Sequence, residues 1–193
     1  MRKTPIWILL VLILCAPLLN GGKIFSSIRN AFRFGEITEF NYGVSALQWL
    51  PEIQQKAKIW RADAYLFAIS EAEIDANGNS SKWSYLFYSP ASGKSMLYTY
   101  DSGFIAQRET VLSPLNPVYS LRIDTPTALF RANEDSSTKK FLENNEVQAR
   151  VISLVGPDYD TRQVVSKWKV VYHGTHGTHR IAVDATSGTV VNQ

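Results

Sequence analysis

The chain has 193 residues, of which 45% are hydrophobic and 12% aromatic, so it can bury a core and is not a disordered protein. Its formal net charge is +3. Arg2 and Lys3 lie in an N-terminal segment free of acidic residues. Without these two, the chain has 18 basic and 17 acidic side chains. A net charge this close to zero argues against a nucleic-acid surface that binds by releasing counterions. Cys15 is the only cysteine, so no disulfide can form within the chain.

The N-terminal segment has the pattern of an export signal. Arg2 and Lys3 precede an apolar run at residues 6–19, which is shorter than the roughly 20 residues that a membrane-spanning helix needs. Residues 1–22 are therefore predicted to be a signal peptide or a membrane anchor, and a buried N-terminal helix stays open. Leu14 before Cys15 does not fit a lipoprotein signal, which has a small residue there. The rest of the chain is expected outside the cytoplasm: periplasmic, secreted, or attached to the membrane if the segment stays uncleaved.

Two similar stretches follow in the remaining sequence. Residues 81–103 read SKWSYLFYSPASGKSMLYTYDSG, and residues 166–188 read SKWKVVYHGTHGTHRIAVDATSG. Each begins with Ser-Lys-Trp, turns at a glycine and reaches Asp shortly before a closing Ser-Gly. Aromatic and β-branched residues alternate with polar ones, which predicts a half-buried hairpin in each stretch. We expect the alternating aromatic residues of each hairpin to pack in the core rather than to form an exposed binding face.

Further elements are predicted in front of each hairpin. Strands are expected at residues 64–74 and 147–155, and helices begin at Pro51 and at Pro126, because proline suits the first helical position. Short leading strands are expected at residues 37–42 and 118–123. The fold class is therefore α+β, with two similar halves, each a helix plus an antiparallel sheet, after the N-terminal hydrophobic segment. The halves are residues 23–109 and 118–193, joined by a linker at residues 110–117 that contains two prolines.

The end of the second half resembles the close of a PepSY domain. Residues 180–190 read RIAVDATSGTV and follow a strand that reads WKVVY, whereas the family pattern is roughly V-D-A-x-T-G-x-V. Ser187 separates Thr186 from Gly188, and the first half, which ends Asp101-Ser102-Gly103, matches in outline only. The resemblance implies PepSY-like halves, similar in shape to cystatin-like folds, in a non-catalytic protein that acts outside the cytoplasm as an inhibitor, folding aid or accessory subunit.

All three histidines lie in one predicted hairpin, at His173, His176 and His179. If the chain turned around His176, His173 and His179 would face each other across two strands and could bind zinc or copper. A metal-binding or metal-sensing protein is therefore the alternative function. A polar hairpin tip that happens to contain histidine is the simpler interpretation.

No catalytic motif is evident in the sequence. The chain lacks a G-x-S-x-G elbow, and its histidines are not next to a serine-bearing turn. We therefore expect no enzyme, no cofactor and no nucleic-acid partner. The leading hypothesis is an extracytoplasmic module that binds a protein or a peptide, such as an inhibitor, a chaperone or an accessory subunit.

Overall fold

The structure is a computed structural model that describes residues 43–112, 116–157 and 165–191. In these ranges the chain is a mixed α+β protein with three helices and one eight-stranded antiparallel sheet. The helices are α1 (Leu50–Trp60), α2 (Thr125–Glu134) and α3 (Ser136–Asn144). The strands are β1 (Tyr65–Glu73), β2 (Lys82–Ser89), β3 (Lys94–Asp101), β4 (Phe104–Thr110), β5 (Val147–Val155), β6 (Lys167–Gly174), β7 (Gly177–Asp184) and β8 (Val190–Val191). The predicted export segment and the predicted strand at 37–42 lie outside the described residues.

The strand order in the sheet is β4-β3-β2-β1-β5-β6-β7-β8. The two hairpins predicted from the similar stretches are β2–β3 and β6–β7, and β1 pairs with β5 at the centre. Strand β1 has an irregular register against both neighbours. The register shifts between Leu66 and Ala68 of β1 where it pairs with β2, and between Ile69 and Ala72 of β1 where it pairs with β5. The sheet is thus continuous from the first half of the sequence to the second.

The alternating aromatic residues of the hairpins pack in the core, as predicted. Trp83, Tyr85, Trp168 and Tyr172 have no exposed surface. They belong to one hydrophobic cluster with residues of the helices, among them Ile53 and Ala57 of α1 and Ala128, Leu129 and Ala132 of α2. Because strand side chains alternate between faces, these residues define the face of the sheet on which the helices lie.

Two local predictions are wrong. The second half has two helices where one was expected, because Asp135 ends α2 and then caps α3, accepting hydrogen bonds from the N–H groups of Ser137 and Thr138. Residues 118–123 form no strand, although a strand was predicted there. They cross the ends of the sheet strands instead: Val118 N–H donates to the Leu66 carbonyl and Ile123 N–H to the Ala185 carbonyl, each at 2.9 Å.

The two hairpins share a register at their Lys and Asp positions. Lys82 pairs with Asp101 between β2 and β3, and Lys167 pairs with Asp184 between β6 and β7. In each hairpin the residue after the aspartate donates a backbone hydrogen bond to the serine before the lysine. Ser102 donates to Ser81 at 2.8 Å, and Ala185 donates to Ser166 at 2.9 Å. The side chains differ in environment, because Lys82 and Asp101 are exposed whereas Lys167 and Asp184 are buried.

Candidate binding groove

The segments that lead into α1 and α2 are hydrogen-bonded to each other. Asp124 is the N-cap of α2, and its Oδ1 accepts the N–H of Thr125 at 2.7 Å and the N–H of Leu47 at 3.1 Å. Thr125 Oγ1 accepts the N–H of Ala46 at 3.2 Å. Asp124 and Thr125 therefore hold the start of α1 beside the start of α2. Asp124 also accepts a backbone N–H group that has no partner within the helix.

The turn between β1 and β2 packs closely on the same helix start. Gly78 has a φ of +83°, and a Cβ atom there would lie 2.8 Å from Pro126 Cα. Asp75 shapes this turn, because its Oδ1 accepts the N–H groups of Asn77 at 2.8 Å and Asn79 at 2.9 Å. A glycine is needed at Gly78 both for the left-handed backbone and for the close approach.

A groove with a volume of about 710 Å³ lies between α1 and the crossing segment at residues 118–121. Ligand pockets in proteins commonly have about 300–1,000 Å³. The apolar lining comes from the α1 region, two strands and the crossing segment: Leu47, Leu50, Leu66, Phe87, Val118 and Leu121. The polar lining includes Gln54, Gln55, Lys58 and Ser120. We call this the α1 groove.

Both walls of the α1 groove are fixed by hydrogen bonds. On the helix side, Lys58 Nζ donates to the carbonyl of Ala62 at 3.1 Å and to that of Ala64 at 2.7 Å, which places a cation at the C-terminal end of α1, where the helix dipole favours it. On the other side, Ser120 has a φ of +51°, which is uncommon for a residue with a Cβ atom. Thr186 Oγ1 donates to the Ser120 carbonyl at 2.7 Å and holds that conformation.

The rim of the groove has side chains that can form hydrogen bonds with the backbone of a bound ligand. Gln54 and Gln55 are exposed, and each side-chain amide can both donate and accept. The floor beneath is apolar, with Leu50, Leu66 and Phe87 almost fully buried. This combination suits a ligand with apolar side chains on one side and N–H and C=O groups along its length.

A second cavity of about 470 Å³ lies at the other end of β1 and is lined mainly by polar residues. Glu71, Glu73, Asp75 and Lys82 are among its lining side chains. The Asp75 carboxylate is already used by the β1–β2 turn. An apolar pocket with a few polar groups is the better candidate for a binding site, so we place the site in the α1 groove.

The structure does not pair the two histidines that were predicted to face each other. The β6–β7 hairpin turns at Thr175 and His176, so that His179 pairs with Tyr172 and His173 pairs with Thr178. His173 and His179 therefore lie on opposite faces of the sheet, and their predicted pairing is wrong. Among the described residues, no group of three His, Cys, Asp or Glu side chains is arranged to hold a metal ion. The metal site at His173, His176 and His179 stays a prediction without support from this geometry.

His179 packs against α3. Its ring stacks on Phe141 with centroids 5.4 Å apart, and its Nε2 lies 2.9 Å from Thr138 Oγ1. Thr138 is fully buried. These contacts explain His179 as a packing residue between the sheet and α3.

One serine–aspartate pair has a structural role. Ser89 is fully buried, and its Oγ donates to Asp63 Oδ1 at 2.8 Å. The Ala91 N–H, at 2.7 Å from Asp63 Oδ2, is the main cause that lowers the pKa of Asp63 below its usual 3.8. The carboxylate thus shapes the β2–β3 turn and orients no histidine, so the pair lacks the base that a serine nucleophile needs.

Comparisons with known proteins give a fold neighbour and no family. No family model matches the chain, and no curated protein matches it. A crystal structure of a candidate lipoprotein from Clostridium difficile 630 is similar, with a TM-score of 0.50 and 16% sequence identity over 74% of this chain and 90% of that chain. At this identity the similarity concerns the fold alone. Within the described ranges, none of the helices combines the length and the apolarity that a membrane span requires.

Proposed function

We propose that this chain is a non-catalytic binding module that holds an extended, partly apolar peptide segment of a partner protein in the α1 groove. The observation that carries the proposal is the groove itself, which has an apolar floor, two hydrogen-bonded walls and a rim with two exposed amides. An extended peptide has the matching chemistry, since its alternate side chains can enter the floor while its backbone bonds to the rim. A small apolar ligand would leave the rim amides unused.

The module is proposed to act outside the cytoplasm. The basic and then apolar N-terminal segment supports export, either as a cleaved signal peptide or as a membrane anchor. The fold neighbour, described as a candidate lipoprotein, is compatible with such a location. A partner would then be another exported or membrane-bound protein.

The two halves are further proposed to be structural duplicates of a PepSY-like unit, covering residues 23–109 and 118–193. The shared Lys–Asp register and the matching Ser102–Ser81 and Ala185–Ser166 hydrogen bonds support this proposal. Both halves also place helical structure, one helix in the first half and two in the second, before four successive antiparallel strands. The PepSY resemblance implies that this binding module is an inhibitor, a folding aid or an accessory subunit.

Peptide selection tests the proposed function. A displayed library of short extended peptides would be selected on the full chain, and the affinities of enriched peptides measured by fluorescence anisotropy. The double variant Gln54→Ala/Gln55→Ala should weaken binding by about tenfold, because each hydrogen bond contributes roughly 0.5–1.5 kcal/mol. Gln148→Ala, which removes an exposed amide on β5, is the matched control and should leave affinity unchanged. If the selected peptides bind Gln54→Ala/Gln55→Ala as tightly as they bind Gln148→Ala, the groove is not their binding site.

A further inference from the structure

Strand β4 forms one outer edge of the sheet. In the described part of the chain it pairs with β3 and has no other strand beside it. Its pairing with β3 runs without interruption from Asp101–Phe104 to Ser95–Thr110, so seven residue pairs follow one regular register. The strand contains no proline and no bulge, two of the devices by which edge strands avoid pairing with another chain.

Exposed apolar side chains are concentrated at this edge. Seven large hydrophobic residues of the described ranges are exposed, and three of them lie on or just after β4. These are Phe104, 79% exposed, Val111, 97% exposed, and Leu112, 43% exposed. A regular, partly apolar edge with no second strand beside it in the described ranges is a template for another strand.

We propose that β4 pairs with β4 of a second copy of this chain and forms a two-fold symmetric dimer with a continuous sheet. The sequence of the strand is complementary to itself in one register. When two antiparallel copies are centred on Ala106, Phe104 of each copy faces Arg108 of the other, and Ile105 faces Gln107. Phe104, Ala106 and Arg108 all lie on one face of the sheet, because side chains alternate along a strand. The exposed ring and guanidinium would then form a cation–π contact twice.

Neighbouring registers are less favourable. A pairing centred on Arg108 places two guanidinium groups opposite each other, and like charges in that position destabilise a strand pair. A pairing centred on Gln107 places Phe104 opposite Thr110, so that the ring loses its cationic partner, and it places the apolar Ile105 opposite the charged Glu109. Glu109 is also held within its own chain, since its Oε1 accepts Lys94 Nζ at 2.6 Å. The register centred on Ala106 opposes no like charges.

Sedimentation equilibrium of the full chain in a density-matched mild detergent tests the dimer. We expect wild type to have twice the 21.7 kDa mass of one chain. Ala106→Lys and Ala106→Glu place like charges at the two-fold axis, and each should weaken the dimer about twofold to fivefold. An equimolar mixture of the two variants should recover the dimer, since the axis then joins opposite charges. Thr178→Lys, an exposed substitution on β7, is the control and should dimerise like wild type.

The charge-swap design separates this edge from other ways to dimerise. A wild-type chain that stays monomeric up to high micromolar concentration overturns the proposal. A dimer that survives in Ala106→Lys with unchanged affinity also overturns it, because the contact would then lie elsewhere. Two misfolded variants would not form a dimer when they are mixed. Loss of the dimer in each variant alone, with recovery of the dimer in the mixture, therefore supports pairing at Ala106. Groove binding of peptides is independent of these outcomes, since Ala106 does not line the α1 groove.

Discussion

The indole N–H of Trp168 donates a hydrogen bond to the Ile123 carbonyl at 2.7 Å, which ties the start of β6 to the segment that enters α2. Trp83 makes the same kind of bond in the first half, to the Val44 carbonyl at 2.8 Å, in the segment that precedes α1. Each tryptophan is fully buried. Each therefore both fills the core and anchors the crossing chain ahead of a helix.

We predict that Trp168→Phe lowers the free energy of unfolding by about 1–3 kcal/mol, because the Ile123 carbonyl loses its partner while much of the ring packing remains. Trp168→Ala should cost more, about 3–5 kcal/mol, since it also creates a cavity. Urea unfolding followed by circular dichroism measures both. Trp83→Phe is the matched variant in the first half, with a similar expected loss. An unfolding midpoint that is unchanged in Trp168→Ala would mean that the side chain is not buried.

Asp124 is predicted to control both stability and the α1 groove. Asp124→Ala removes the N-cap of α2 and the acceptor for Leu47 N–H, and should cost about 0.5–2 kcal/mol in urea unfolding. Because Leu47 lines the groove, peptides selected on the wild-type chain should also bind more weakly. Asn is an equally good N-cap, so Asp124→Asn should keep most of both properties. Equal peptide affinity in Asp124→Ala and wild type would show that the Leu47 contact does not shape the groove.

The cap of α3 should give the protein a pH-dependent contribution to stability. The pKa of Asp135 is lowered from 3.8, first by the Ser137 hydroxyl and further by the N–H groups of Ser137 and Thr138. A lowered pKa stabilises the folded state above pH 3.8, and this contribution is lost as the pH falls through the lower folded value. The stability difference between wild type and Asp135→Asn should therefore shrink on acidification below that pH, in urea unfolding at a series of pH values. A difference that stays constant would contradict this assignment.

His179 is predicted to stabilise the protein through packing. His179→Ala should lower stability by about 1–3 kcal/mol, because Thr138 loses its partner and Phe141 loses the stacked ring. His173→Ala, at an exposed position on the opposite face, should have little effect. Thermal unfolding with a chelator and with added zinc tests this. A zinc-dependent rise in the melting temperature that each of the three histidine substitutions removes would support the metal site instead.

Local patterns in the sequence were sufficient to predict the hairpins and their buried faces. Trp83 and Tyr85, like Trp168 and Val170, alternate over a short range, and this period is fixed by strand geometry. The edge strand β4 was not predicted, because its sequence lacks the buried half of such an alternation. Five of its seven residues are exposed, and only Ile105 and Thr110 are partly covered. A strand that is held mainly by backbone hydrogen bonds shows little alternation of hydrophobic and polar residues in its sequence.

The histidine pairing failed because of the position of one turn. A turn centred on His176 would pair His173 with His179, whereas the observed two-residue turn pairs Gly174 with Gly177. A register shift by one residue moves a side chain to the other face of a sheet. Both turns are compatible with the glycines of this stretch, so the sequence alone did not distinguish them.

The α1 groove could not be predicted from local sequence patterns. Leu47, Leu66 and Leu121 are far apart in the chain and meet only because Asp124 and Val118 fix the segments around them. Residues 118–123 have the composition of a strand, but their N–H groups bond to the ends of existing strands rather than to a neighbouring one. The site is therefore a consequence of tertiary packing.

Photo-crosslinking tests the proposed binding function most directly. A peptide selected on the full chain would carry a photoreactive phenylalanine at its main apolar position, and mass spectrometry would identify the residues it labels. We expect labels on the lining of the α1 groove, at Leu47, Leu50, Val118 or Leu121, and much less labelling in Gln54→Ala/Gln55→Ala. Labels that lie mainly on β4 or on the polar cavity beside Glu71 and Asp75, with the groove unlabelled, would contradict binding in the α1 groove.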